Sequence, residues 1–492
     1  MNATGSRFRG NDKLKSLWTC LHFSDLPLAV FARGDVRERP TVVSSISHRP
    51  DVVAANGAAQ RRGITAGMSI AAALALDAEL SIHLRDERAE VAALRSIALW
   101  AGQWTPTISI EPPACVLVEI AGCLAYFGGF ERLRKQIDSG LAALGFSAVV
   151  ATAPTPSAAS LFARAKQAIA IGDSADLAPR LASLPVALLE HAQEALDTLT
   201  GIGAHPLGDV LALPRDGVAR RFGQALLDEI DRALGHLPDA RPPFVAPECY
   251  HGQIELPSPV EDTEALLFAA KRLVTELAGF LQGRGAGVTR LRCDLVHEDA
   301  APTSIVLGLT ATRRIEHIMN VLRERLAREQ LPDRVEAIRI VSEEIAPLAA
   351  KEGDFFAAAG KDSEAGAQLV ERLRARLGDD AVQALGMHAD HRPERAWRQT
   401  TVISGATPAK NNRDPAPVPR RPLWLLLEPR ALGADPAATA LQLLSGPERI
   451  ETGWWDGGDI GRDYFVGRGT QGEELWLYRD RGGQWFVHGV FA

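Results

Sequence analysis

Cysteine is scarce in this chain, with five in 492 residues. They lie at Cys20, Cys115, Cys123, Cys249 and Cys293, and no two stand at CxxC spacing. A disulfide framework or a cysteine-rich zinc site is therefore excluded, and a reducing, cytoplasmic setting is expected. Excess positive charge is missing too: 54 Lys and Arg against 61 Asp and Glu leave a net charge of −7. A grip on nucleic acid must then be local rather than spread over the surface. Long apolar runs are absent. The uncharged stretch 141–163 is interrupted by Gly145, Pro154 and Pro156, so it reads as strand, turn and helix start rather than a membrane span. The opening MNATGSRFRGNDKLKS has no apolar signal core. It reads as a disordered extension over 1–16 or as an early start codon.

What is present is ordinary globular usage, 46% hydrophobic and 23% charged. The length predicts about three to five domains. Residues 17–23 (LWTCLHF) predict a strand, followed by a helical stretch near Leu28 and a compact helical lobe over 53–75. The runs 107–111 and 114–120, separated by Pro112 and Pro113, predict a hairpin. Leu133, Ile137, Leu141 and Leu144 recur at helical spacing, and 146–153 is a further strand. This order predicts an α+β domain over 17–178 around one mostly antiparallel sheet.

From 179 to 242 the pattern turns helical. There Leu199-Thr200-Gly201-Ile202-Gly203 admits two readings. One is a helix-hairpin-helix corner presenting backbone N–H groups to a phosphate; the other is a plain turn with glycine at helix caps. Residues 243–347 give the order βαββαβ, a four-stranded sheet with two helices on one face. Arg290 and Arg292 fall on its open face, as a phosphate-tracking surface or simply a solvated one. In HADHRPERAWR, His388, His391 and Glu394 lack further ligands nearby, so the segment reads as a charged helix flank with Trp397 as a packing anchor. Residues 399–422 contain no leucine and no aromatic and read as a linker. Five tryptophans (Trp424, Trp454, Trp455, Trp476, Trp485) mark a small β-rich module over 423–492. Most of its aromatics are expected in its core.

LHFSDLPLAVF, AANGAAQRRGITAGMS, TPTISIEPP, ATAPTPSAA, HRPERAWR and the tail GPERIETGWWDGG with RDYFV and LWLYRDRGGQWFVHGVFA carry a resemblance. From about Leu17 onward the chain resembles the Y-family DNA polymerases, and within them the ImuB group of inactive paralogues. The resemblance implies palm and fingers over 17–178, a thumb over 179–242 and a little finger over 243–347. It also assigns a clamp-binding peptide and helical segment to 348–398 and a partner-binding module to 423–492.

Nucleotidyl transfer in that family needs about three palm carboxylates holding two Mg²⁺ ions. By the resemblance, those positions fall at His22, with Ser24 two residues on, and at Glu111 and Pro112. Imidazole is a poor Mg²⁺ ligand and proline has no side-chain donor. Residues that would grip a triphosphate fall at Gly57, Gln60, Pro156 and Ser160, none of them cationic. No metal, cofactor or catalytic residue is therefore expected. DNA contacts are expected at Thr200, Gly201, Gly203, Arg290 and Arg292. Glu352, Asp354, Phe355 and Phe356 stand where a sliding-clamp peptide would lie, or form an ordinary linker whose phenylalanines pack on the little finger. Trp454, Trp455, Tyr464 and Trp485 are expected to meet partners. The resemblance names these as a RecA-like accessory protein (ImuA) and an error-prone replicative-type polymerase. The expectation is a non-catalytic scaffold for mutagenic translesion synthesis in the SOS response to DNA damage. The alternatives are an active lesion-bypass polymerase and a nucleic-acid-binding structural protein.

Overall fold

The computed structural model describes residues 16–31, 39–348, 359–401, 420–433, 435–438 and 441–491. They form two compact units, Met1–Arg376 and Leu377–Ala492.

The first unit begins with β1 (Trp18–His22) and α1 (Leu26–Ala29). A small lobe follows: β2 (Thr41–Ser44), β3 (Val52–Ala55), α2 (Gly57–Arg61), α3 (Ile70–Leu76) and β4 (Ser81–Leu84). The lobe expected to be helical thus contains a three-stranded sheet in the order β3-β2-β4. Its strands are short, and the parallel β2–β4 pair joins residues far apart in the chain, beyond the reach of local periodicity. Then come α4 (Glu87–Ala101), β5 (Ile108–Glu111), β6 (Cys115–Glu119), α5 (Phe130–Leu144), β7 (Val149–Ala153) and α6 (Pro156–Arg164).

The main sheet has the order β5-β6-β1-β7, with every pair antiparallel. Strand alternation sends β1 to two cores. Leu17 and Leu21 join Leu94, Ile97, Leu133 and Ile137 under α4 and α5. Cys20 joins Ala151, Phe162, Leu199 and Ile230 on the other face. That second face is covered by α6 and by a helical segment comprising α7 (Leu177–Leu181), α8 (Leu196–Gly201), α9 (Leu207–Leu211), α10 (Arg215–Phe222) and α11 (Gln224–Leu234). Thr19 and Thr152 share a buried hydroxyl hydrogen bond of 2.8 Å between strands.

The expected βαββαβ order is present as β8 (His251–Val260), α12 (Thr263–Gly283), β9 (Ala286–His297), β10 (Thr303–Thr312), α13 (Ile315–Leu326) and β11 (Val335–Pro347). Its sheet runs β10-β9-β11-β8. Helix α12 also packs on α4 of the main sheet, and two glycines permit the approach. A Cβ at Gly279 would lie 2.7 Å from Trp100 Cδ1 and 2.8 Å from the Trp100 carbonyl oxygen; one at Gly283 would lie 2.5 Å from the Gly102 oxygen. Buried Glu276 crosses the same junction, accepting from Ser96 Oγ at 2.5 Å and from Tyr250 Oη at 3.0 Å. Helix α14 (Ala359–Leu377) then docks through buried Glu371, which accepts from the Thr310 backbone and hydroxyl and faces His317 Nε2 at 2.6 Å.

The second unit opens with the hairpin β12 (Gln383–Met387) and β13 (Trp397–Thr401). A five-stranded sheet follows: β14 (Trp424–Ala431), β15 (Gln442–Thr452), β16 (Ile460–Arg468), β17 (Glu474–Asp480) and β18 (Trp485–Val490), in the order β14-β18-β17-β16-β15. Three expectations change here. The unit begins near Leu377, well before 423. HADHRPERAWR is part of a β-hairpin rather than a helix flank. Trp397 is 53% exposed rather than a buried packing anchor. The anchor is Arg392, 3% exposed, which pairs with Asp390 and with Asp456 across the unit.

The α4–α12 junction yields a prediction. Gly279→Ala forces a methyl group against a backbone oxygen that cannot rotate away, and should cost about 1–3 kcal/mol. Urea unfolding of the full chain would read this as a lower midpoint. An unchanged midpoint would mean the helices do not approach this closely.

Candidate functional site

Strand register builds a row of side chains on the α6 face of the main sheet. Glu111 pairs with Cys115, and Cys115 pairs with His22. Directly paired residues share a face, so the positions expected to hold metal stand abreast. Glu111 is the one carboxylate of the row, and both of its oxygens are engaged. Oε1 accepts from Ser160 Oγ on α6 at 2.8 Å, and Oε2 receives the Arg241 guanidinium at 2.9 Å. Arg241 also donates to Ser157 Oγ at 2.7 Å and pairs with Asp239 at 3.0 Å. Asp239 in turn accepts from the Ser157 N–H at 2.8 Å. The Phe244 N–H donates to the Ile108 carbonyl at 2.7 Å. The segment between α11 and β8 is thereby stitched to β5 and α6.

His22 is partly buried, and its pKa lies below the ordinary histidine value. Burial is the main cause, and the charges of Arg164 and Lys166 push the same way while Asp25 opposes them. Ser24 is exposed and donates to Asp25 at 3.4 Å. Pro112 offers no side-chain donor. Among the described residues no group of three or more His, Cys, Asp or Glu could hold a metal ion. One carboxylate already neutralised by a guanidinium does not fit a pair of Mg²⁺ ions, which require several free oxygens.

The triphosphate positions follow suit. Gly57 starts α2, and Gln60 donates its amide to the Ala55 carbonyl at 2.7 Å. Pro156 and Ser160 lie in α6.

In the helical segment Thr200, Gly201 and Gly203 are exposed. However, the turn uses its own donors. The N–H groups of Ile202, Gly203 and Ala204 go to the carbonyls of Thr198, Thr200 and Leu199. Gly203 has φ +82°, the left-handed conformation of a helix end. The corner is a helix cap, and its N–H groups do not face outward for a phosphate. Arg290 and Arg292 do lie on the open face of the second sheet. Both are paired with Glu343, at 2.8 and 3.0 Å, and Arg292 also meets Asp294 at 3.3 Å. The face is of mixed charge rather than basic. Glu352, Asp354, Phe355 and Phe356 lie outside the described residues.

In the second unit Trp454 and Trp455 are 77% and 57% exposed, edge to face at 5.5 Å. Tyr464, expected at a partner surface, is buried instead. It stacks on Trp476 at 4.1 Å and hydrogen-bonds His488 Nδ1 at 2.8 Å, because alternation along β16 turns it into the core. Trp485 is half-buried against Phe465 at 5.0 Å.

The sequence reading missed Arg241 and Arg392. Both act through carboxylates distant in sequence, and no spacing rule announces such pairs. Arg392 binds Asp456 at 2.6 and 3.0 Å, Arg395 adds a contact at 3.1 Å, and Arg462 reaches Glu394 at 3.1 Å.

The Arg392 guanidinium holds the carboxyls of Asp390 and Asp456 down to about 2. Burial holds His488 down to about 4, from 6.5. Both shifts favour folding at higher pH. The His488 contribution is complete above 6.5 and is lost as pH falls to about 4. The carboxylate contribution is complete above 3.8 and is lost as pH falls through about 2. The second unit should therefore melt at progressively lower temperature in two acid steps, followed by tryptophan fluorescence. Arg392→Gln should lower the melting temperature at pH 7 and abolish the lower step, and His488→Gln should flatten the upper one. A wild-type melting temperature constant from pH 7 to about pH 4 would refute the His488 assignment, and one constant from there to about pH 2 would refute the carboxylate assignment.

Comparison with known proteins completes the site. Residues 28–164 match the impB/mucB/samB family, a span that includes Glu111, Pro112, Ser160 and Arg164. Protein ImuB of Caulobacter vibrioides strain NA1000 / CB15N is 27% identical over 462 residues, covering 87% of this chain and all of the relative; Protein ImuB of strain ATCC 19089 matches equally. Among solved structures, DinB from Sulfolobus solfataricus aligns at 18% identity and TM-score 0.38, over 68% of this chain and all of that one. A post-insertion binary complex of Dbh DNA polymerase aligns at 18% identity and TM-score 0.39 with the same coverage. The chain is thus similar to Protein ImuB along most of its length, and its residues 28–164 match the impB/mucB/samB family.

Proposed function

We propose that this protein is a non-catalytic scaffold of a mutagenic translesion synthesis complex in the bacterial cytoplasm. The observation that carries the reading is the state of Glu111. In a two-metal transferase the carboxylates of this row must be free to bind cations. Here the single carboxylate is engaged by Arg241 and Ser160, and its neighbours in register are a cysteine and a histidine. The Arg241 guanidinium brings positive charge to the row, but it cannot coordinate and activate a primer hydroxyl as a metal ion does. The similarity to Protein ImuB supports a role in handling damaged DNA.

On this reading the regions expected as palm, fingers, thumb and little finger hold DNA rather than copy it. The segment containing Phe355 and Phe356 tethers the protein to a sliding clamp. The exposed pair Trp454 and Trp455 contributes to partner recruitment, the partners being the RecA-like accessory protein and an error-prone replicative-type polymerase. Several weak contacts on one chain raise the effective concentration of the synthesising enzyme at a stalled fork.

Primer extension tests the central statement. The purified chain with Mg²⁺ or Mn²⁺ should add no template-directed nucleotide, whereas extension past a lesion should appear when the partner polymerase is supplied. Incorporation by the chain alone would sink the scaffold reading. Independently, Phe355→Ala with Phe356→Ala should abolish recovery of the clamp in a pull-down; undiminished recovery would remove the clamp from the scheme.

A further inference from the structure

We infer that Glu343 is a built-in competitor for phosphate: it occupies the arginine pair on the open face of the second sheet, and DNA engages that pair only by displacing it. The inference deepens the DNA-binding reading above and rests on it.

The open face of the β10-β9-β11-β8 sheet carries three arginines. Arg290 and Arg292 alternate outward on β9, and Arg339 on β11 stands in register with Asp294, so the three share a face. Arg339 donates to the neutral side-chain oxygen of Gln253 at 2.8 Å. The other two are closed by one residue. Arg290 Nε donates to Glu343 Oε2 at 2.8 Å, and Arg292 Nε lies 3.0 Å from Glu343 Oε1. Each guanidinium thus faces a different oxygen of the same carboxylate. A DNA phosphate offers two free oxygens and a single negative charge to such a pair in the same way.

The carboxylate does not fill the place completely. Its approach to Arg292 is an ion pair without hydrogen-bond alignment, and Arg292 Nε is a buried atom left with no acceptor. Buried polar atoms in folded proteins are nearly always paired, so this donor marks room for an anion that reaches it better.

The backbone places Glu343 there by a local irregularity. Ser342 pairs with Leu291 and Glu344 pairs with Arg290, which leaves Glu343 as the extra residue of a bulge on β11. Bulges re-aim side chains, and this one sets two successive carboxylates against one arginine. Stability does not account for the arrangement, since ion pairs between partly exposed side chains contribute only about 0–1 kcal/mol. Competition accounts for it. A carboxylate tethered beside the arginines has a high effective concentration that a lone phosphate from solution does not match. A duplex already held elsewhere on the chain is tethered too, and can displace it. The face is therefore closed to a first encounter and open to DNA that is already bound.

The experiment uses the full chain and a labelled primer–template duplex, with fluorescence anisotropy measured across a KCl series. Glu343→Gln should tighten binding about tenfold and steepen the plot of log affinity against log salt by about one to two, one for each arginine freed. Glu336→Gln removes the same charge from the same strand, outside the arginine pair, and should leave the slope as in wild type. Adding Arg290→Gln and Arg292→Gln to Glu343→Gln should remove the whole gain. Thermal melting confirms that each variant is folded. Equal affinity and slope in wild type and Glu343→Gln, both holding the duplex, would overturn the inference while the DNA-binding reading stands. A gain from Glu336→Gln as large as that from Glu343→Gln would overturn it as well, and so would a gain that survives the loss of both arginines. If neither wild type nor Glu343→Gln holds the duplex, the DNA-binding reading itself fails and the inference falls with it.

Discussion

The contact between Arg241 and Glu111 joins residues 130 apart in the chain, and much of the first unit is arranged around it. Glu111 sits at the end of a sheet strand, half-buried, where an unpaired carboxylate would be costly to desolvate. A guanidinium satisfies it with a fork of donors that a lysine could not reproduce. The same arginine reaches Ser157 and Asp239, so one side chain ties together the main sheet, α6 and the segment leading to the second sheet. With these contacts Arg241 makes this end of the sheet a structural junction.

A second constraint acts behind the sheet. Gly279 and Gly283 let α12 lie directly against α4, with Trp100 filling the space that side chains would otherwise occupy. Glu276 is wholly buried in this junction but has Ser96 and Tyr250 as donors. Together with the Phe244–Ile108 hydrogen bond, this holds the βαββαβ element to the main sheet from two sides. Docking of α14 through Glu371 adds a third element to the same body. Such packing resists the independent swinging of domains that a chain of separately folded modules would allow.

The C-terminal unit is organised by charge in a different way. Arg392 is almost completely buried and meets Asp390 and Asp456, while Arg462 crosses to Glu394. Breaking one partner of such a set would leave its opposite buried and uncompensated. The hairpin of β12 and β13 is thereby integral to the sheet that follows, although residues with linker composition stand between them in sequence.

The sequence by itself determined the elements with strong periodicity. The hairpin at Pro112 and Pro113, the helix over Phe130–Leu144 and the complete βαββαβ order were legible because each repeats its apolar positions locally. It also determined which residues occupy the expected metal positions, since Glu111, Pro112 and His22 are set by the chain whatever its fold. Tertiary structure alone decided what those groups do. Whether Glu111 is free depends on Arg241. Whether Arg290 and Arg292 make a basic face depends on Glu343. Whether Gly203 offers an N–H depends on where α8 ends, and whether Tyr464 is a surface or a core residue depends on the face β16 turns inward. Each outcome is set by a partner brought close only after folding. Coulombic and hydrogen-bond energies depend on distance in space, and a sequence records only distance along the chain.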